Sequence, residues 1–159
     1  VTSGMGAHRM NVPKELAEYK LERAEIVVYL PADWNISDHE EKNYWPLRWL
    51  KILARLPLEE DSWLGWGHSV PNGKPFAENT QLSSVLLINP ENVEEGAAVC
   101  QLPNGEEVNF YQMIPLYEEE VNFKIQNGAE TLLGKMGEIS AVVDIHRLNV
   151  CEGFGRPKE

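Results

Sequence analysis

The spacing of apolar positions predicts one long amphipathic helix in the first half of the chain. An apolar stripe at spacings of three and four residues is formed by Trp49, Leu50, Leu53 and Leu56. Pro46 fits the first position of a helix, where its missing N–H removes no hydrogen bond. Because Pro57 cannot continue a regular helix, the pattern predicts a helix over residues 46–56.

Short runs of β-branched and aromatic side chains predict the strands. Residues 24–30 (AEIVVYL) and 82–89 (LSSVLLIN) each end directly before a proline and are typical of buried strands. Residues 62–70 (SWLGWGHSV) are interrupted by glycine and predict an irregular strand that leads into the turn at residues 71–73. Residues 141–145 (AVVDI) predict a last strand.

The second half of the chain predicts a β-hairpin followed by two helices. Residues 97–102 and 107–114 flank an Asn-Gly pair, which is a strong short-range signal for a hairpin. Pro115 can open a helix over residues 116–126, and residues 129–136 predict a shorter helix. Strands and helices do not alternate regularly in this order, so the expected fold is α+β: a mixed β-sheet packed with helices in a single domain.

The length and composition are consistent with one globular domain. The chain has 159 residues, of which 43% are hydrophobic and 25% charged, and a domain of this size buries a sizeable core. We expect this domain to occupy residues 1–150 and residues 151–159, rich in Gly, Pro and charge, to form a loose tail. Since the sequence begins at Val1 and not at methionine, we expect an N-terminal element to precede it in the full protein.

The net charge narrows the class of partner. A formal charge of −11 repels phosphate backbones and anionic lipid surfaces, so neither nucleic acid nor membrane is expected to bind. The same charge favours encounter with a basic protein. No apolar run is long enough to cross a bilayer, and two cysteines that lack a metal or disulfide spacing are typical of a reducing compartment, so the predicted location is the cytoplasm.

Motifs for catalysis are missing from the sequence. The four histidines have no metal-ligand spacing, and GxSxG, GxGxxG and the P-loop are all absent, so no catalytic residue, metal or cofactor is expected. One pair leaves an enzymatic alternative open. Asp144 and His146 would share one face of a strand, where the carboxylate could orient the imidazole of an uncharacterised hydrolase.

Several short segments occur in a recognisable order along the chain. They are residues 24–34 (AEIVVYLPADW), 44–46 (YWP) with the helix that follows, 67–73 (GHSVPNG), 102–105 (LPNG), 108–115 (VNFYQMIP), 123–124 (FK) and 131–133 (TLL). Together they resemble the suppressor-of-fused domain, and specifically its stand-alone bacterial type. The resemblance covers most of residues 2–147.

The resemblance implies a fold and a class of function. It implies an α+β fold with helices on a mixed sheet, an element before Val1, and no catalytic residues. Animal members carry a second domain and sequester Gli-type transcription factors by clamping a peptide between the domains. Because the likeness stops with the first domain, Gli binding is not implied here. Bacterial single-domain members are proposed to be immunity proteins that neutralise toxins by binding them.

The resemblance also suggests where a partner would bind. In the animal relatives the region after the Trp-Pro helix contributes to peptide contact, which corresponds to residues 63–76 here. Trp63, Trp66 and His68 could anchor an interface, since Trp is enriched at interface hot spots. Packing of the two tryptophans in the core or in a turn is the simpler explanation. Asn72 is included as a candidate binding residue, although its place in Asn-Gly is typical of a turn.

A small basic stripe gives a second candidate surface. Arg48, Lys51 and Arg55 recur at helical spacing on a face of the predicted helix that differs from its apolar stripe. The stripe is either a solvated helix face or a contact for an acidic partner.

Three functions follow from these observations. The first is a non-catalytic protein-binding domain of the immunity type, whose partner would be a basic toxin domain. The second is a general intracellular adaptor or sequestering protein with the same surface properties. The third is the hydrolase using Asp144 and His146. The sequence leaves the oligomeric state open.

Overall fold

The computed structural model describes residues 1–137 and 142–155. The strands are β1 (Arg23–Val27), β2 (Ser69–Pro71), β3 (Ser84–Ile88), β4 (Val99–Gln101) and β5 (Glu107–Leu116). The α-helices are α1 (Glu41–Glu59), α2 (Glu118–Asn127) and α3 (Ala129–Met136), and two short 3-10 helices lie at Met5–Ala7 and Lys14–Tyr19.

The five strands form one mixed sheet. The strand order is β1-β5-β3-β2, and β4 pairs with β5 outside this order. β1 runs parallel to β5, whereas β4 runs antiparallel to β5 and β2 antiparallel to β3. All five residues of β3 are buried, as expected for a strand with neighbours on both sides. The predicted α+β class with a mixed sheet and helices is therefore confirmed.

The chain divides into two compact units. The first unit comprises Val1–Val28, Pro46–His68 and Leu87–Met113. The second comprises Tyr29–Trp45, Ser69–Leu86 and Ile114–Glu159. β3 and β5 each contribute residues to both units.

In the first unit, the N-terminal segment covers the outer edge of β1. The N–H of Thr2 donates to the carbonyl of Ile26 at 2.8 Å, and the N–H of Ile26 donates to the Thr2 hydroxyl, also at 2.8 Å. The buried carboxylate of Glu25 accepts the N–H groups of Gly4 and Gly6, both at 2.9 Å, and the Thr2 hydroxyl. An edge strand with unpaired backbone groups invites pairing with another chain, and here residues of the same chain occupy that edge.

The close approach of Gly6 to β5 gives the first testable prediction. A Cβ atom at Gly6 would lie 2.9 Å from Cγ1 of Val108, so Gly6→Ala is expected to lower the free energy of unfolding by about 1–3 kcal/mol through overpacking. Gly134, exposed within α3, has open space around it, so Gly134→Ala is expected to raise that free energy by about 0.5–1 kcal/mol. Urea denaturation measures both variants. Equal effects of the same sign would contradict the packing of Gly6 against Val108.

The long helix differs from its prediction at both ends. α1 begins at Glu41 instead of Pro46 and continues to Glu59, so that Pro46 and Pro57 both lie inside it. Each proline removes one backbone hydrogen bond from the helix. Burial of the predicted apolar stripe offsets this loss, because Leu53 is fully buried and Trp49 is almost so. The prolines therefore predicted the ends of the helix wrongly, whereas the apolar stripe predicted the helix itself and its buried face correctly.

The elements after β3 follow the prediction more closely. β4 and β5 pair antiparallel with Gln101 opposite Glu107, which confirms the hairpin. α3 has the predicted bounds. Pro115, however, lies within β5, and α2 begins at Glu118 after the N-cap residue Tyr117. The predicted helix over residues 116–126 is thus displaced by two residues at its start.

Two predicted strands are largely absent. Of residues 62–70, only the end belongs to a strand, because β2 is confined to Ser69–Pro71. Of residues 141–145, Ala141 lies outside the described residues, and Val142 forms a single parallel bridge with Tyr29 and no strand. Glycines break the first segment, and the second turns away after the N–H of Val143 donates to the carbonyl of Tyr29 at 2.8 Å.

The helices also bear on the membrane question. In the described ranges, no helix is both long enough and apolar enough to cross a membrane.

Candidate functional site

Among the described residues, no strand pairs with the outer edge of β2, in the second unit. β2 is the last strand in the sheet order, and β3 is its neighbour. The N–H of Asn72 donates to the carbonyl of Ser83 at 2.8 Å, so alternation along an antiparallel pair directs Val70 toward β3 and the backbone groups of Ser69 and Pro71 away from it. Proline is tolerated here because its missing N–H faces outward.

The outward groups of β2 are available for pairing. Within the described part of the chain, no hydrogen bond engages the N–H of Ser69 or the carbonyl of Pro71. The edge thus offers one donor, the N–H of Ser69, and two acceptors, the carbonyls of Ser69 and Pro71. The edge of β1 differs, because residues of the N-terminal segment cover it.

A cleft of about 590 Å³ lies at the C-terminal end of β2 within the second unit. Its walls come from the turn after β2, the start of β3, the start of α2 and the C-terminal segment, and include Pro71, Lys74, Tyr117, Glu118, Leu148 and Glu152. Its volume lies within the range of roughly 300–1,000 Å³ that is usual for ligand sites. The site therefore combines an unpaired strand edge with an adjoining cleft.

A buried ion pair fixes the C-terminal wall of the cleft. The guanidinium of Arg147 donates to both carboxylate oxygens of Glu120, at 2.5 and 2.8 Å, and the two side chains are 8% and 0% exposed. Arg147 also donates to the carbonyl of Pro115 at 2.9 Å. This bidentate geometry is the strong form of a charge-assisted hydrogen bond. It fastens the segment around Arg147 to the start of α2.

Further hydrogen bonds converge on the same pair. Glu120 accepts the N–H groups of Tyr117 at 2.8 Å and Val150 at 3.2 Å. The Tyr117 hydroxyl donates to the carbonyl of Arg147 at 2.6 Å, and burial raises the pKa of Tyr117 further above neutral pH. The wall is therefore held through several backbone positions at once.

α2 also contacts β2 directly. The Lys124 ammonium donates to the hydroxyl of Ser69 at 3.1 Å, and burial lowers the pKa of Lys124. Phe123 precedes Lys124 in the same helix, and the centroid of its ring lies 5.2 Å from that of Phe154. α2 thus positions both the strand edge and the end of the C-terminal segment.

Trp63, Trp66 and His68, predicted as interface anchors, lie in the turn before β2, in the first unit. The rings of Trp63 and His68 are 4.4 Å apart, and Nδ1 of His68 accepts the N–H of Gly65 at 3.1 Å. A Cβ atom at Gly65 would lie 2.7 Å from the Trp63 ring. These contacts favour a turn-packing role for Trp63 and His68, whereas Trp66 is 39% exposed.

The remaining predicted site residues are placed in two different units. Asn72, in the second unit, follows β2, and its side-chain amide donates to the carbonyl of Lys74 at 2.8 Å, as a turn residue does. In the first unit, Arg48, Lys51 and Arg55 are exposed together on α1. The binding roles of these residues stay predictions.

Asp144 and His146 adopt a different arrangement from the one a hydrolase would need. The carboxylate of Asp144 accepts the backbone N–H of His146 at 2.9 Å, within a turn instead of a strand. The described residues contain no group of three or more His, Cys, Asp or Glu that could hold a metal ion. The contact that is present stabilises a turn and leaves the imidazole unoriented by this carboxylate.

No pattern in the sequence predicts the pair that builds the cleft wall. Glu120 is one of three acidic residues in the first turn of α2, and the helix dipole alone explains their placement. Arg147 lies 27 positions away from Glu120, in a segment without periodicity. Nothing short of the tertiary structure brings the two together.

Comparison with known proteins assigns the chain to a family. The family described as suppressor of fused protein (SUFU) matches residues 1–148. The chain belongs to the suppressor-of-fused family. An uncharacterized protein of Ureaplasma parvum serovar 3 is 28% identical over 148 residues, which are 92% of this chain and 70% of that protein.

Solved structures of suppressor-of-fused proteins share the fold. The Drosophila Suppressor of Fused crystal structure matches with a TM-score of 0.56 at 16% identity, and a Sufu-Fu complex with 0.55 at 16%. A homologue from Neisseria gonorrhoeae FA 1090 matches with 0.54 at 21% identity. Each match covers 67% of this chain, but only 25%, 46% and 57% of the respective structures.

Proposed function

We propose that this suppressor-of-fused domain is a non-catalytic protein-binding domain that pairs an extended segment of its partner with the outer edge of β2. The observation that carries the proposal is the open edge at Ser69 and Pro71. An extended peptide that adds a strand to such an edge gains backbone hydrogen bonds, and side-chain pockets beside the edge supply specificity. A solved Sufu-Fu complex, in which a relative is bound to another protein, supports protein binding as the class of function.

The partner that we propose is a basic protein in the bacterial cytoplasm. The net charge of −11 supports this choice, because complementary charge accelerates encounter and suppresses partners of the same sign. An immunity role, in which binding neutralises a toxin domain, is the finer proposal. If it is correct, the captured partner has a toxic activity that one equivalent of this chain inhibits.

Ser69→Pro tests the edge directly. The substitution removes the outward N–H of Ser69 and places a ring where a partner strand would lie, so we expect about tenfold weaker binding of a partner captured from the host lysate. Ser69→Ala is the matched control, since it retains the N–H and removes only the hydroxyl that Lys124 contacts. Unchanged binding by Ser69→Pro, in a variant that unfolds at the wild-type temperature, would rule out pairing at β2.

Salt dependence and inhibition separate the finer proposals. We expect the partner to be released as the salt concentration rises, because screening weakens attraction between exposed charges. Inhibition of the partner's activity at equal concentrations supports the immunity role. A partner that stays fully active in the complex would contradict that role and favour the adaptor.

A further inference from the structure

We infer that the cleft beside β2 is a subsite for one lysine or arginine side chain of the bound segment, with Glu118 and Glu152 as the residues that hold its charge. This inference rests on the proposed function, because the segment must first lie along β2. It adds a specific side-chain requirement and assigns it to two residues outside the strand edge.

The geometry places the cleft within reach of a segment on the edge. Pro71, whose carbonyl faces outward, is itself part of the cleft lining, and the turn residue Lys74 continues the same wall. A side chain of the bound segment opposite Pro71 therefore starts next to the lining of the cleft. Since successive side chains of a strand alternate between the two faces, one residue of the segment is directed to this side.

The lining suits a long side chain with an apolar stem and a charged end. Pro71, Pro75, Tyr117 and Leu148 supply apolar surface, and Glu118 and Glu152 supply exposed carboxylates. Lysine and arginine bury their methylene groups along apolar surface and keep the charged group at a polar rim. A short polar or purely apolar side chain would use only part of this lining.

The electrostatic balance of the lining favours a cation. The charge of Arg147 is compensated by its buried pair with Glu120. The carboxylate of Glu119 accepts the side-chain amide of Asn149 at 3.1 Å, a neutral partner that leaves the negative charge in place. Among the lining residues, Lys74 therefore stands against three carboxylates, of which those of Glu118 and Glu152 are exposed. An anionic side chain would meet like charges here, in a protein whose overall charge has the same sign.

Matched peptides test the subsite without knowledge of the natural partner. The probes are short, capped peptides of alternating Thr and Val that carry lysine, norleucine or glutamate at one position, titrated into the intact chain at low salt and followed by NMR. Norleucine retains the methylene stem of lysine without its charge. We expect the lysine peptide to bind about tenfold more tightly than the norleucine peptide, and the glutamate peptide to bind more weakly than either.

Variants separate a local effect from the overall charge. Glu118→Gln with Glu152→Gln is expected to abolish the preference for lysine. Glu94→Gln with Glu95→Gln makes the same change in net charge on an exposed loop of the other unit and is expected to preserve it. Loss of the preference in both double variants, or in neither, would overturn the assignment of the subsite to Glu118 and Glu152.

The norleucine peptide distinguishes failure of the subsite from failure of the edge. If it binds, if Ser69→Pro weakens it, and if lysine gives no gain, the subsite is wrong while pairing at β2 stands. If none of the peptides perturbs the amide signals of β2, pairing at the edge fails and the subsite fails with it.

Discussion

Replacing Glu120 with alanine is expected to lower the free energy of unfolding by about 3–5 kcal/mol, as removal of one partner from a buried ion pair does. The side chain of Arg147 is 8% exposed, so its charge would remain largely buried without a compensating carboxylate. The N–H groups of Tyr117 and Val150 would lose their acceptor as well. Urea denaturation, followed by circular dichroism, measures the change.

Two further variants test whether the loss of stability comes from breaking the ion pair of Glu120 and Arg147. Glu118→Ala removes an exposed carboxylate from the same helical turn and is expected to change the free energy of unfolding by less than about 1 kcal/mol. Combining Glu120→Leu with Arg147→Met removes both charges and is expected to restore part of the stability, because no buried charge remains unpaired. A double variant less stable than Glu120→Ala would contradict this explanation.

Replacing Trp45 with alanine is expected to lower the free energy of unfolding by about 3–5 kcal/mol, since large aromatic residues in a core leave large cavities. Trp45 is 1% exposed, and its ring stacks on that of Phe76 with centroids 4.5 Å apart. The ring of Trp34 contacts that of Trp45 in an edge-to-face arrangement, with centroids 6.2 Å apart. The matched control is Trp66→Ala, for which a change within about 1 kcal/mol is expected because Trp66 is 39% exposed.

Trp45→Phe refines this prediction. Nε1 of Trp45 is buried and has no hydrogen-bond partner among the described residues, and an unpaired buried donor is itself unfavourable by about 1–3 kcal/mol. Phenylalanine retains an aromatic ring for stacking and removes that donor, so its destabilisation is expected to be less than half that of alanine. Phenylalanine and alanine variants of equal stability would contradict the role of stacking.

Local signals predicted the parts of the fold that depend on local sequence. The hairpin β4–β5 follows from an Asn-Gly pair between apolar runs, and α3 follows from a short amphipathic segment bounded by glycines. The ordered segments that resemble the suppressor-of-fused family predicted its membership correctly. The hairpin and α3 need only neighbouring residues, and the family resemblance needs only short segments in a given order, so a single sequence contains the information for all three.

Tertiary packing decided the features that the sequence did not predict. Pro46 and Pro57 lie inside α1 because burial of the helix face outweighs the lost hydrogen bonds. The pair of Glu120 and Arg147, and the cleft that it helps to build, join positions far apart in sequence. The open edge of β2 depends on the strand order, and a single sequence gives no direct measure of that order.

Amide hydrogen exchange in the complex with the captured partner tests the central claim most directly. The N–H of Ser69 points away from β3, so a partner strand at this edge is expected to slow its exchange at least about tenfold relative to the free chain. Protection at Ser69 and the cleft wall, with the exposed face of α1 unchanged, is the predicted result. Protection confined to Arg48, Lys51 and Arg55 on α1, with Ser69 unchanged, would contradict binding at β2.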